Sequence, residues 1–327
     1  MGASLADGRV RGDSIACPFH DWRWGADGAC TAIPYSRRVP PGARTRAWET
    51  LERNNLLFVW HDPEGYTAPA DVSIPEIPQL NTHYTPWNHS VHRIETNTRE
   101  LVDNLVDVSH FFYVHGHGIS GGCQFFGNIF ENHTASQFIE VGDVMGEGYD
   151  RLKHGAPLDK IGQSRSETCY YGPAALFSRV MYRDADDLVD SHILLMQLPV
   201  TPDAFDLHML LNVRTRDDLT PEQNAARAVG VTDWLRAGTL QDVKIWETKT
   251  RIDNPLLCEG DGPFHQLRRW YSQFFVDEAD VTPEMTERFV KITNTEYAMA
   301  QWAEQAKERL AEIEAMGEPM PSRGMAA

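Results

Sequence analysis

Asp103-Asn104-Leu105-Val106-Asp107-Val108-Ser109-His110-Phe111-Phe112-Tyr113-Val114-His115 puts two carboxylates, an amide and two imidazoles into a run that is otherwise almost all apolar. Charged and imidazole groups are costly to bury unless paired or bound to a metal. This stretch therefore decides how the chain is read. Asn104, Asp107 and His110 recur three residues apart, so on a helix each neighbouring pair shares one face on adjacent turns. His115 comes five residues after His110, roughly 140° further around an ideal helix. Both imidazoles reach one ion only if the helix distorts or ends between them. Gly116 and Gly118 supply that ending, because glycine is the usual residue just past a helix C-terminus.

Two neutral imidazoles plus one distant carboxylate make the facial triad of non-haem Fe(II) sites, which leaves positions open for dioxygen and substrate. The competing reading is a core helix whose histidines bond backbone carbonyls. Two isolated histidines favour that reading; the combined spacing N-x-x-D-x-x-H-x-x-x-x-H favours metal. Upstream, Cys17-Pro18-Phe19-His20 is a C-x-x-H between strand-like segments, followed by Trp22 and Trp24. A buried Cys beside an incidental His is the plain alternative. In a Rieske centre two Cys bind one iron and two His the other, and this motif could hold one face of such a cluster.

Composition sets the outer bounds. A chain of 327 residues, 42% hydrophobic, is long enough for one large domain or two with a full core. A formal charge of −17 argues against nucleic acid and anionic membrane surfaces as partners. No run of eighteen apolar residues occurs, so no membrane insertion is expected, and Met1 to Asp7 lacks the apolar core of a secretory signal. Five cysteines, at 17, 30, 123, 169 and 258, are odd in number and widely spaced. They do not read as a disulfide framework, and the expected setting is cytoplasmic.

Along the chain, residues 1–62 read as short strands, among them Ser14–Ala16, Cys30–Tyr35 and Leu56–Trp60. Residues 63–86, with four prolines from Pro69 to Pro86, read as an extended connector. Residues 87–315 follow as the catalytic domain, and 316–327 as a tail. Within the domain a strand over Trp87–Glu95 leads to the site helix, capped by Thr96, Asn97 or Thr98. His117–Gly122 is a glycine-rich loop, and Phe125–Val141 a strand segment with polar residues outward. Tyr170–Tyr182, Ser191–Pro199 and Ala204–Val213 read as successive antiparallel strands, the last two joined by the turn Thr201-Pro202-Asp203. Thr220-Pro221 opens a helix, Leu240–Arg251 forms a second, and Pro283 to about Glu314 is helical throughout.

Cys17-Pro18-Phe19-His20-Asp21-Trp22-Arg23-Trp24, the Asn104–His115 segment and Gln241-Asp242-Val243-Lys244-Ile245-Trp246 together resemble the Rieske non-haem iron oxygenases. Among these the chain looks most like the oxygenase component of 3-ketosteroid 9α-hydroxylase. Lys249 to Leu257 and Gln266 to Tyr271 extend the likeness over nearly the whole chain. The resemblance implies an α+β protein: an all-β Rieske domain, here incomplete, followed by a helix-grip domain in which an antiparallel sheet wraps long helices. It implies mononuclear Fe(II) on His110, His115 and Asp242, and a 2Fe-2S cluster to which Cys17 and His20 contribute. Asp107 would be an electron bridge between neighbouring subunits, which requires a homotrimer. Asn104 would support the ligands, and Gln137, Tyr170, Leu176, Ser178 and Trp246 would line the substrate pocket. The implied activity is hydroxylation of a steroid or similar polycycle, with electrons from an NAD(P)H-dependent flavin/iron–sulfur reductase. The alternatives are a Rieske O-demethylase, an aromatic-ring hydroxylase, or a metal-free hydrophobic-ligand carrier.

The chain also departs from that family. The family's first Cys-x-His pair is absent between Met1 and Cys17. That pair precedes the second Cys by roughly 15–17 residues in such domains, and sixteen residues precede Cys17. A product extending upstream of a misassigned start is therefore expected. Gly116 to Cys123 reads as longer and more polar than the steroid-hydroxylase loop, while Ala174, Ala175 and Ser178 are smaller than the family's residues.

Overall fold

The structure, a computed structural model, describes residues 2–116, 123–142, 149–184 and 187–316. The chain divides into two compact units, Met1–Ala68 and Pro69–Ala327.

The first unit is all β. Strands β1 (Arg9–Arg11), β2 (Ser14–Ala16), β3 (Arg23–Gly25) and β4 (Cys30–Ala32) form an antiparallel sheet, and β5 (Glu49–Arg53) pairs with β6 (Leu56–Trp60). The expected strand over Cys30–Tyr35 stops at Ala32, and Ser36 N–H turns back to the Ile33 carbonyl. Between β2 and β3 the chain folds tightly on itself. Cys17 N–H donates to the Trp22 carbonyl at 2.8 Å, Asp21 N–H to the Cys17 carbonyl at 3.0 Å, and Asp21 takes a left-handed φ of 57°.

The second unit is built on eight antiparallel strands: β7 (Asn88–Ile94), β8 (Phe125–Glu131), β9 (Thr134–Val141), β10 (Ser164–Tyr171), β11 (Ala175–Asp184), β12 (Asp187–Thr201), β13 (Ala204–Val213) and β14 (Phe289–Thr293). Their order across the sheet is β14-β8-β9-β10-β11-β12-β13-β7. One face supplies Ile193 and Leu195 from β12 and Leu207, Met209 and Leu211 from β13 to a core shared with Trp246, Trp270 and Leu235. The helices that fill this face are α4 (Pro221–Gln241), α5 (Val243–Thr248) and α6 (Phe264–Ser272). The expected start of α4 is present with a reciprocal cap: Thr220 accepts from Gln223 N–H while the Gln223 side chain accepts from Thr220 N–H. No described helix is long and apolar enough to cross a membrane.

Several expectations need correcting. The segment 103–115 is not one helix. It comprises α2 (Arg99–Val102), a 3-10 turn over Asp103–Leu105, a break, and α3 (Ser109–Tyr113). Asp107 makes the break, because its Oδ1 accepts from the Ser109 and His110 N–H groups and starts a new helix instead of continuing the old one. At α2 the Arg99 N–H is taken by Asn97 Oδ1. Tyr170–Tyr182 is a hairpin, turning at Gly172 with φ 69°. Phe125–Val141 is also a hairpin, and Asn128, Ser136, Gln137 and Glu140 are buried, not outward. The 63–86 segment carries a 3-10 turn at Ala70–Val72 and the short α1 (Leu80–His83). The helix expected over Leu240–Arg251 is α5 alone, since α4 runs through Gly238 to Gln241. Pro283 to Glu314 is interrupted: α7 (Pro283–Thr286), then β14 paired with β8, then α8 (Glu296–Met316). The loop at 117–122 and the tail from 317 lie outside the described residues.

Burial of the polar residues has a local cause. Arg165, with no exposed side-chain surface, pairs with Glu140 and Glu167 on the back of the sheet. Glu167 also accepts from Gly155 and Ala156 N–H at 2.6 and 2.9 Å. These carboxylates tie a covering loop to β9 and β10, so each buried charge has partners.

Candidate metal centre

His110 and His115 come together because α3 unwinds between them. Val114 N–H donates to the His110 carbonyl at 2.7 Å and His115 N–H points to the same oxygen at 3.4 Å, a widened last turn. Gly116 follows at φ 71°, where a side chain would be strained. The two imidazole rings end 5.1 Å apart and nearly perpendicular. Asp242 arrives from the break between α4 and α5 and is 6% exposed. Ligand atoms of His110, His115 and Asp242 all lie within 4.8 Å of one another, with His115 Nε2 3.4 Å from Asp242 Oδ2.

Each of these side chains is held from behind. His110 Nδ1–H donates to the Asp107 carbonyl at 2.8 Å, and His115 Nδ1–H donates to Gln241 Oε1 at 2.9 Å. In the neutral ring either bond leaves the Nε2 lone pair for a metal. Asn104 Nδ2 donates to Asp242 Oδ2 at 3.0 Å, and the Trp246 indole N–H donates to Asn104 Oδ1 at 3.2 Å. Burial pushes the His115 pKa down, but the Asp242 carboxylate and Gln241 outweigh it, and the net shift is upward. A cation between them would take over the role of that proton. Two nitrogens and one carboxylate with open sides fit the donor set of a non-haem Fe(II).

A cavity of about 420 Å³ opens beside the triad, within the range of small-molecule sites. Gln137, Leu176, Ser178 and Trp246 all line it, as do Ile193 and Leu195. Tyr170 does not stand among the lining residues. It is fully buried two residues beyond Thr168 on β10, where its hydroxyl accepts from Gln197 Nε2 at 2.7 Å among the α6 aromatics. Unexpected contributors are Ser166 and Thr168 of β10. Thr168 Oγ1 is 2.7 Å from Ser178 Oγ and 3.2 Å from Ser166 Oγ, a hydroxyl cluster on an otherwise apolar wall. The alternation in Ser164-Arg165-Ser166-Glu167-Thr168 was the available signal, obscured by its polarity.

Residues 59–275 match the family described as the 3-ketosteroid 9α-hydroxylase C-terminal domain, and residues 1–43 match the Rieske [2Fe-2S] domain. The chain belongs to the 3-ketosteroid 9α-hydroxylase family of Rieske oxygenases. Over 313 residues it is 45% identical to a 3-ketosteroid-9-alpha-monooxygenase oxygenase component from Rhodococcus rhodochrous, covering 95% of this chain and 77% of the relative. A counterpart from Mycobacterium tuberculosis is 42% identical over 317 residues, covering 95% and 78%. Pseudomonas putida CBB5 NdmA with caffeine superposes with a TM-score of 0.59 at 16% identity, over 88% of this chain and 81% of that one. That likeness is one of fold.

Family membership implies an iron–sulfur cluster as well as iron, and the first unit can be tested for it. Cys17 and His20 share the tight loop between β2 and β3. The other cysteine of the unit, Cys30, is buried and directs its thiol to the Ala32 carbonyl, and the other histidine, His61, stacks on Trp48. Among the described residues His110, His115 and Asp242 form the single group of three or more potential metal ligands. The first unit thus offers one thiolate and one imidazole, half of a Rieske donor set.

Asp107 keeps a third of its side chain exposed. Burial pushes its carboxyl up, but His110 and the Ser109 backbone N–H outweigh that and hold it below the ordinary range. The His110 ring bonds the Asp107 carbonyl, and its Nδ1 is 3.8 Å from the carboxylate.

Proposed function

We propose that this chain is the oxygenase component of a monooxygenase that hydroxylates a 3-ketosteroid at its 9α position. One atom of dioxygen enters the C–H bond and the other leaves as water, with two protons taken from solvent and two electrons supplied by a separate NAD(P)H-dependent flavin/iron–sulfur reductase. The observation that carries this reading is the convergence of His110, His115 and Asp242 on the wall of a largely apolar cavity. The names of the 42–45% identical relatives support the substrate.

Fe(II) held by His110, His115 and Asp242 would supply open positions for dioxygen. The chain's own residues do the rest. Asp107 and Gln241 engage the two imidazoles at Nδ1, which leaves Nε2 of each ring as the donor for a metal. Leu176, Ile193 and Leu195 exclude water and orient an apolar ring system, while the hydroxyls of Ser178 and Thr168 meet a polar group of the substrate. Gln137 Nε2 donates to the Leu105 carbonyl at 2.8 Å and ties the cavity wall to the segment carrying the ligands. The exposed side of Asp107 suits a bond from an imidazole of a neighbouring chain, so that an electron passes through it to His110; this role goes with a homotrimer. Five free cysteines accord with a cytoplasmic setting. A metal-free carrier would have no use for three converging ligands held from behind.

Hydrogen peroxide brings both oxygen and the reducing equivalents, and so tests the site without electron delivery. The iron-loaded chain with peroxide and a panel of 3-ketosteroids should give products heavier by one oxygen atom. Turnover of aryl methyl ethers or simple arenes with no steroid product would replace the steroid assignment.

A further inference from the structure

We infer that Gln241 and Trp246 are positioning residues for the metal: Gln241 sets the tautomer and ring plane of His115, and Trp246, acting through Asn104, sets the carboxylate of Asp242. The inference rests on the reading of His110, His115 and Asp242 as iron ligands.

Gln241 is the last residue of α4 and Asp242 the break after it, so consecutive residues bring a ligand and the support of another ligand to one point. An imidazole has two nitrogens and one proton to share when neutral. Gln241 Oε1, 2.9 Å from His115 Nδ1, is an acceptor at that position, so the proton stays on Nδ1 and the lone pair on Nε2 faces Asp242 and His110.

The role of Trp246 follows from the two-sided chemistry of an amide. Asn104 can present either its NH₂ or its oxygen to Asp242, and the two faces have nearly the same shape. An indole N–H is only a donor. With Trp246 Nε1 3.2 Å from Asn104 Oδ1, the oxygen is held there and Nδ2 is turned to Asp242 Oδ2 at 3.0 Å. Trp246 is 3% exposed and packed in the main core, so it cannot swing away to allow the flip. Without the indole N–H, Asn104 can turn its oxygen to the carboxylate, which repels it. Residues 241 to 246 therefore hold one ligand and orient two, which gives Trp246 a duty beyond lining the cavity.

The test is anaerobic titration of the metal-free full chain with Fe(II), and with Co(II), whose visible bands report ligand geometry. Gln241→Leu should bind metal about 10–100-fold more weakly than the wild type with a shifted Co(II) spectrum, and Gln241→Glu, which keeps an acceptor, should restore both. Trp246→Phe, which keeps the ring and removes the N–H, should weaken binding several-fold and alter the bands. Melting temperatures of the metal-free variants report whether the fold is intact. Wild-type affinity and spectrum in folded Gln241→Leu or Trp246→Phe, or failure of Gln241→Glu to restore them, would overturn the inference alone. A wild-type chain that takes up no metal would overturn it together with the reading of the triad.

Discussion

His192 gives the stability of this protein a predictable dependence on pH. It lies on β12, on the opposite face from the cavity residues Ile193 and Leu195, and is 5% exposed. Its ring packs 4.7 Å from Tyr84 and 5.5 Å from Phe177, and Nδ1 is 3.0 Å from Asn212 Oδ1. Burial lowers its pKa from 6.5 to about 4, aided by Arg179 and resisted by Asp190 and Asn212. The native ring therefore stays neutral over a range in which the unfolded chain is protonated. Stability from this residue is fully present above the unfolded value of 6.5, and it is lost as pH falls towards about 4. With these two values, moving from about pH 7.5 to about pH 5 removes about 2 kcal/mol, at 1.36 kcal/mol per pKa unit. Urea unfolding of the wild type and His192→Gln at several pH values isolates this contribution, because all other titrating groups are common to both. The variant should be less stable at neutral pH but lose about 2 kcal/mol less on acidification. Parallel pH profiles for the two proteins would refute the reasoning.

In a complete protein that also carries the missing Cys-x-His pair, replacing Asp107 with Asn keeps an acceptor for the Ser109 and His110 N–H groups, so metal content should stay normal while reductase-coupled turnover nearly vanishes; near-normal turnover would remove the electron-bridge role. The double change Thr168→Val with Ser178→Ala takes two hydroxyls from the cavity wall and should raise KM for an oxygenated steroid about tenfold, as one lost hydrogen bond would. An unchanged KM would show that this cluster does not meet the substrate. Arg165→Leu leaves Glu167 and Glu140 buried on the back of the sheet, and should cost about 3 kcal/mol in urea unfolding, the low end for a broken buried pair because Arg151 still reaches Glu140.

The ligands on 103–115 were legible because their residue types are out of place in an apolar run, and because Gly116 marks where the helix must end. Nothing in spacing alone connects Asp242 to them across the chain; the Gln-Asp-x-x-x-Trp resemblance did that. The antiparallel sheet was legible wherever one face is apolar, as in β12 and β13. It was hidden in β10, whose two faces carry a hydroxyl cluster and a buried ion network. That network is stable only against the loop that covers it, and the loop's backbone donors leave no mark in side-chain pattern. In β14, Phe289-Val290-Lys291-Ile292-Thr293 is rich in β-branched residues but sits between two helical stretches that masked it. Tyr170 was placed at the cavity by resemblance, and the packing of α6 keeps it in the core.

The central claim is that three side chains from two distant segments hold one iron. It is tested most directly by anaerobic Fe(II) titration of the full chain beside Asp242→Ala, with the folding of each checked by thermal melting. One tightly bound iron per wild-type chain at the triad and none in an equally well-folded Asp242→Ala is the expected result. Equal iron uptake by the two proteins, or no uptake by the wild type, would contradict the account.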